Sequence, residues 1–219
     1  MATNVDSTLL AEGWSEVTFD GKAPNRFTPS PSDGVVVESD DSVSLLQRDV
    51  EVDLDRTPCL TWRWQVSEPA PPSDLTVRGE DDRSLALYVA FPFDAEHATA
   101  FEHMQRAVVE KLAGKEAPGR VLMYVWGGDG ARGDRVESPH LGESGMMTIL
   151  RPARTETGIW FEETVDVAED YRRIFESEPP DPITIAIGAD TDDTQSMAKG
   201  AVADMAFVSK SDAKRSPPG

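Results

Sequence analysis

Two acidic segments and one aromatic pair carry the residue types and spacing that binding or catalysis would need. In Gly79-Glu80-Asp81-Asp82-Arg83, three carboxylates stand in a row before a strongly apolar segment. Oxygen ligands at that density can hold a hard cation, or they can pair with a guanidinium such as Arg63 or Arg83. In Ala189-Asp190-Thr191-Asp192-Asp193-Thr194, further carboxylates follow an alternating segment and so fall in a loop at a strand end, where binding residues of sandwich folds collect. The spacing departs from a calcium-binding helix-loop-helix, because an acid takes the fourth place and no glycine takes the sixth. Asp81, Asp82, Asp190, Asp192 and Asp193 are the candidate metal ligands, with Ca²⁺ the ion such a set suits. The competing readings are an acidic, Asx-bonded turn and an Arg-paired structural cluster.

Thr-Trp-Arg-Trp-Gln-Val at 61–66 puts Trp62, Trp64 and Val66 on one strand face and Arg63 and Gln65 on the other. Two indoles on one face of a central strand read as core. Arg63 on the opposite face must then reach water or a carboxylate. Further along, Ile159, Phe161, Val165 and Val167 share a face, leaving Trp160, Glu162 and Thr164 on the other. Trp160 beside Glu162 is the best candidate for a sugar-stacking pair, against the alternative of an indole covered by a loop. The candidate ligand-binding residues are Arg63, Arg83, Trp160 and Glu162. Catalytic residues are not indicated: no nucleophile elbow, phosphate loop or Cys-His pairing occurs. His97 and His103 lie six apart on an expected helix, and His140 stands alone in Ser138-Pro139-His140.

The elements that must position these residues are mostly strands. Period-2 segments recur at 34–39, 43–52, 59–66, 84–91, 121–126, 146–150, 159–167, 183–189 and 201–208, with Pro, Gly and Asp between them. Nine or more strands in one domain need two sheets, so the expected fold class is all-β, a two-sheet β-sandwich of jelly-roll type. One amphipathic helix is expected from 95 to about 113, with Phe101, Met104, Val108 and Leu112 as its apolar stripe and Gly114 as its stop. A second, short helix is expected at 168–175, with Asp166 as its cap. Residues 1–208 read as a single domain and 209–219, almost devoid of apolar side chains, as a disordered tail.

Composition narrows the function classes. The chain has 219 residues, 40 acidic and 21 basic, for a net charge of -19. That field repels nucleic acid and anionic lipid. Apolar residues make up 39%, enough for a real core, and no run approaches the length of a spanning helix, so membrane insertion is not expected. Six Lys against fifteen Arg, with Asp outnumbering Glu, is what a salt-adapted surface carries, and genomic base composition produces the same bias. Cys59 is the only cysteine, which precludes an internal disulfide. Residues 1–14 contain neither a basic nor an apolar signal region. The compartment is then either the cytoplasm or, with a signal removed, the periplasm or the exterior.

In order, Thr57-Pro58 to Trp64, Gly79 to Phe91, Tyr124-Val125-Trp126, Trp160 to Val167, Asp170-Tyr171-Arg172 and Asp190 to Thr194 resemble an uncharacterised bacterial family. It is a domain-of-unknown-function family with W-R-W, D-D-x-x-R-like, Y-V-W, D-Y-R and D-T-D-x-T landmarks. The resemblance spans about residues 10 to 208. It departs from the family pattern at Arg83, directly after the Asp pair, and at the long helix expected from 95. It implies a fold similar to galactose-binding-like jelly rolls, and export, but no catalytic residues. The expected function is a non-catalytic bacterial binding module for a carbohydrate or polyol. The alternatives are a polysaccharide-active enzyme using acidic residues, and a structural or assembly protein that binds a protein partner.

Overall fold

The computed structural model describes residues 4–30, 34–93 and 119–214. Among the described residues, twelve strands form two packed sheets. The seven-stranded sheet runs β1 (Ser15–Thr18), β4 (Val43–Asp49), β11 (Thr184–Asp190), β6 (Arg83–Ala90), β7 (Val121–Gly127), β9 (Gly142–Arg151), β8 (Arg135–Ser138). The five-stranded sheet runs β10 (Phe161–Asp166), β5 (Cys59–Glu68), β12 (Met197–Val208), β3 (Gly34–Asp40), β2 (Arg26–Ser30). Every strand pair is antiparallel except β7 with β9. From β3 to β6 the chain changes sheet at each connection, and it does so again through β10, β11 and β12. The protein is an all-β two-sheet sandwich of jelly-roll type, as its alternating segments imply.

Burial follows the alternation where one sheet face meets solvent. Along β5, Leu60, Trp62, Trp64 and Val66 are buried while Thr61, Arg63 and Gln65 are only half-buried. The central strands β6 and β7 are instead buried on both faces almost throughout, and so read as continuous apolar runs. Between the sheets, Trp64 packs edge-on against Trp62 and Trp126, each at 5.5 Å between ring centroids. Trp126 meets Phe161 in the same way. The two tryptophans of β5 are therefore core.

Helix α1 spans Ser7–Ala11, α2 spans Val167–Phe175 and α3 spans Lys210–Ala213. The expected cap of α2 is present: the Asp166 side chain accepts from the Glu169 N–H, and Tyr171, Ile174 and Phe175 face the core. The strand expected over 159–167 is shorter, because Trp160 precedes β10 and Val167 already belongs to α2. The segment from 209, expected to be disordered, begins with the turn α3, capped by Ser209 and tied to β10 by Lys210 and Asp166 at 2.7 Å. The helix expected from 95 to 113 lies outside the described residues. Among the described residues no helix is long and apolar enough to cross a membrane.

Candidate functional site

The outward face of the five-stranded sheet gathers three of the expected ligand-binding residues. Arg63 on β5 stands in register with Glu162 on β10 and with Ala203 on β12. Its guanidinium lies 4.8 Å from the Trp160 ring centre. Asp204, which has a left-handed φ of 56° at the bulge of β12, turns its carboxylate onto Arg63 as an ion pair. Glu162 is exposed and Trp160 and Gln65 are half-buried. Beyond them the face is built from small side chains, with Val36 opposite Ala201 and Gly34 opposite Ala203. Gly34 matters here: a Cβ at that position would stand 2.8 Å from the Ala203 Cβ. The sheet thus presents a half-buried indole with the Arg63 guanidinium over its ring, flanked by the carboxylates of Glu162 and Asp204, beside Ala201 and Ala203, which are themselves buried. An aromatic plane with bidentate donors and acceptors suits a ligand with an apolar ring face and equatorial hydroxyls.

Arg83, the fourth expected ligand-binding residue, is not on this face. It is buried, and its guanidinium is held by the Asp81 side chain at 3.1 Å, Asp190 at 3.2 Å and the Tyr88 hydroxyl at 3.3 Å. Burial alone pulls the guanidinium toward neutrality, but Tyr88, Asp190 and Asp81 more than reverse this and hold it charged. Arg83 opens β6 within the sheet, so its charge must be matched inside. Asp81 also meets the His140 ring at 3.1 Å. Burial raises the Asp81 carboxyl, and the bond from His140 with the charge of Arg83 brings it below the ordinary carboxylate range.

The two acidic segments do meet at one end of the sandwich, through these pairings. Asp82 accepts from the Asp193 N–H at 3.2 Å, the Thr194 N–H at 2.8 Å and the Thr194 hydroxyl. Asp192 pairs with Lys22. Among the described residues, no three His, Cys, Asp or Glu are grouped to hold a metal ion. Asp190 is the strained member of the cluster. It is 6% exposed, its Oδ1 has no hydrogen-bond partner among the described residues, and its pKa is pushed up to about 6. Burial is the chief cause, reinforced by Asp82, Asp81 and Asp193 and opposed by Arg83.

Glu163 is a buried charge that the sequence reading passed over. On β10 it points inward between Phe161 and Val165 and is 4% exposed. It accepts from Arg151 Nε at 2.5 Å, Arg132 Nη2 at 2.9 Å and the Trp64 indole N–H at 3.2 Å. The signal was available: a carboxylate on the apolar parity of an alternating strand needs a buried partner. Tyr124 donates to Asp170 at 3.1 Å, so the Y-V-W and D-Y-R landmarks also touch. Burial, then Asp170, raises the Tyr124 hydroxyl well above its usual range, and burial raises the Asp170 carboxyl.

A family model described as "Protein of unknown function (DUF3047)" matches residues 12–206, and the chain belongs to that family. No curated protein matches it. Among solved structures, it is similar to the xyloglucanase domain of NopAA, a type three effector from Sinorhizobium fredii solved in complex with cellobiose. The identity is 10%, with 91% of this chain and 95% of that chain covered at a TM-score of 0.49. It is also similar to the family 11 carbohydrate-binding module of the cellulosomal cellulase Lic26A-Cel5E of Clostridium thermocellum. There the identity is again 10%, with 90% and 88% covered and a TM-score of 0.41. At those values neither likeness transfers a ligand or an activity.

Proposed function

For this member of a family without an assigned activity, we propose a non-catalytic module that binds a carbohydrate or polyol on the outward face of the five-stranded sheet. The observation that carries the reading is the Arg63 guanidinium lying 4.8 Å from the Trp160 ring, with Glu162 in register beside it. An indole with a guanidinium over one face, and a carboxylate in register with that guanidinium, leaves its other face for apolar stacking and places donors and acceptors beside it, as a sugar ring demands. Glu162 and Asp204 flank one arginine on one open face. That arrangement supports binding over hydrolysis, which calls for two carboxylates facing across a cleft.

The test is a screen of immobilised and soluble glycans, followed by calorimetric titration of the best ligand. Trp160→Ala should weaken that ligand by at least about tenfold, or roughly 1.4 kcal/mol, and leave the melting temperature nearly unchanged because the indole is only half-buried. Glu162→Gln should weaken it less. A screen without any glycan ligand, or a Trp160→Ala protein that binds as the wild type does, would overturn the reading.

A further inference from the structure

On the outward face of the five-stranded sheet, the strand registers align one row of side chains from end to end. Trp160 immediately precedes Phe161, which stands opposite Trp64, and so lies at the level of Gln65. Gln65 is opposite Ala201, Ala201 is opposite Val36, and Val36 is opposite Thr28 on the edge strand β2. Trp160, Gln65, Val36 and Thr28 are half-buried, and Ala201 between them is buried. Four inter-strand steps of about 4.8 Å make the row about 19 Å long, at right angles to the strands.

The row holds no charged residue, in a chain of net charge -19. Charges stand two residues to either side of it, about 7 Å along the strands. On one side Arg63 pairs with Asp204 and is in register with Glu162. On the other, Glu38 is in register with Arg26 and Lys199 and pairs with them at 3.4 and 2.7 Å, while Glu68 stands opposite Lys199. All three cations are thus bound to carboxylates of the same face, and the field of the whole chain repels an anionic ligand. The apolar contacts of the row, Trp160 and Val36, are three strands apart, about 14 Å. The amide of Gln65 lies between them and the hydroxyl of Thr28 beyond, so donors and acceptors alternate with apolar surface along the row. A single sugar ring or a small polyol reaches one end of it. A linear chain whose repeat is close to the inter-strand step reaches all of it.

We propose that the sheet-face site takes an uncharged, linear oligosaccharide of at least three units, laid across the strands from Trp160 to Thr28. One ring stacks on Trp160, a later ring lies on Val36, and the hydroxyls between meet Gln65 and the ion pairs on either side. The inference rests on the carbohydrate reading above and adds to it the length, charge and direction of the ligand.

The experiment titrates the whole chain by calorimetry with β-1,4-linked glucose, xylose and mannose oligomers of one to six units, and with tetragalacturonate as a charged probe. In at least one neutral series the affinity should rise by at least about tenfold from two units to four and then level off. Tetragalacturonate should bind at least about tenfold more weakly than the neutral tetramer. Val36→Arg and Thr28→Arg, which place bulk and charge on the far part of the row, should each weaken the tetramer by at least about fivefold and the disaccharide less, whereas Trp160→Ala should weaken both. Should Val36→Arg fail to fold, Thr28→Arg on the edge strand decides. Affinity independent of length, equal binding of tetragalacturonate, or a tetramer indifferent to Thr28→Arg would overturn this inference while binding that still needs Trp160 would leave the carbohydrate reading standing. Binding to none of the oligomers would overturn both.

Discussion

Asp190 is where the fold holds a carboxylate against its own interest, and replacing it with asparagine makes that cost measurable. Its folded pKa of about 6 stands above the ordinary value of 3.8. The folded state therefore binds a proton more tightly than the unfolded chain across that interval. This group's contribution to stability is fully present below about pH 4 and is lost as the pH rises through about 6. A shift of about two units corresponds to about 3 kcal/mol at 1.36 kcal/mol per unit. The attraction of Arg83 at 3.2 Å is already contained in that balance, and burial still outweighs it. Asparagine keeps the shape and cannot ionise. Urea denaturation of both proteins from pH 4.5 to 8, at fixed ionic strength, gives two stability profiles. Asp170, raised, titrates in both and cancels in the difference, and Asp81, held below its ordinary value, titrates below this window. Relative to Asp190→Asn, the wild type should lose about 2 kcal/mol between pH 4.5 and 8, the first ~1 kcal/mol having gone below that window. Parallel profiles would show that Asp190 ionises at an ordinary pKa and that its burial costs nothing.

Glu163 and the metal question offer further checks. Glu163→Ala leaves Arg151 buried without its partner and should cost about 3 to 5 kcal/mol. Arg132→Ala, on a side chain 52% exposed, should cost about 0 to 1 kcal/mol; comparable losses in urea melts would contradict the assigned burial. Because Asp81, Asp82, Asp190 and Asp192 already have protein partners, Ca²⁺, Mg²⁺ and chelator at fixed ionic strength should give the same melting temperature. A Ca²⁺-dependent rise that Asp192→Ala abolishes would instead establish a cation site in these acids.

What was legible in the sequence follows from how much each strand buries. The nine alternating or continuous apolar segments are all strands. The three strands that went unread, β1, β2 and β8, are edges of their sheets. Edge strands bury one flank less, so their sequences show weak alternation. β2 even carries Pro29, which an edge tolerates and a centre does not. The site was legible in part. The facing of Arg63 away from Trp62 and Trp64 follows from parity alone, whereas its meeting with Trp160 depends on the register of β10 against β5. The burial of Arg83 depends on the neighbours of β6, which no local pattern records.

The fold also gives a physical sense to the scarcity of lysine. Among the described residues, the cations matched with buried carboxylates are arginines, as in Arg83 with Asp81 and Asp190 and Arg151 with Glu163. The lysines that form ion pairs, Lys22, Lys199 and Lys210, have side chains 42 to 59% exposed. A buried cation must satisfy several acceptors at once, and the rigid five-donor fork of arginine does so where a single ammonium point charge does not. Arg83 meets two carboxylates and a phenol from positions on β6, β11 and the loop before β6. The acidity of the chain thus divides into two kinds. Of the interior acids, Asp81, Asp190 and Glu163 are bound to arginine and Asp82 to the Asp193 and Thr194 N–H groups, while acids such as Glu162 stand exposed on the sheet face.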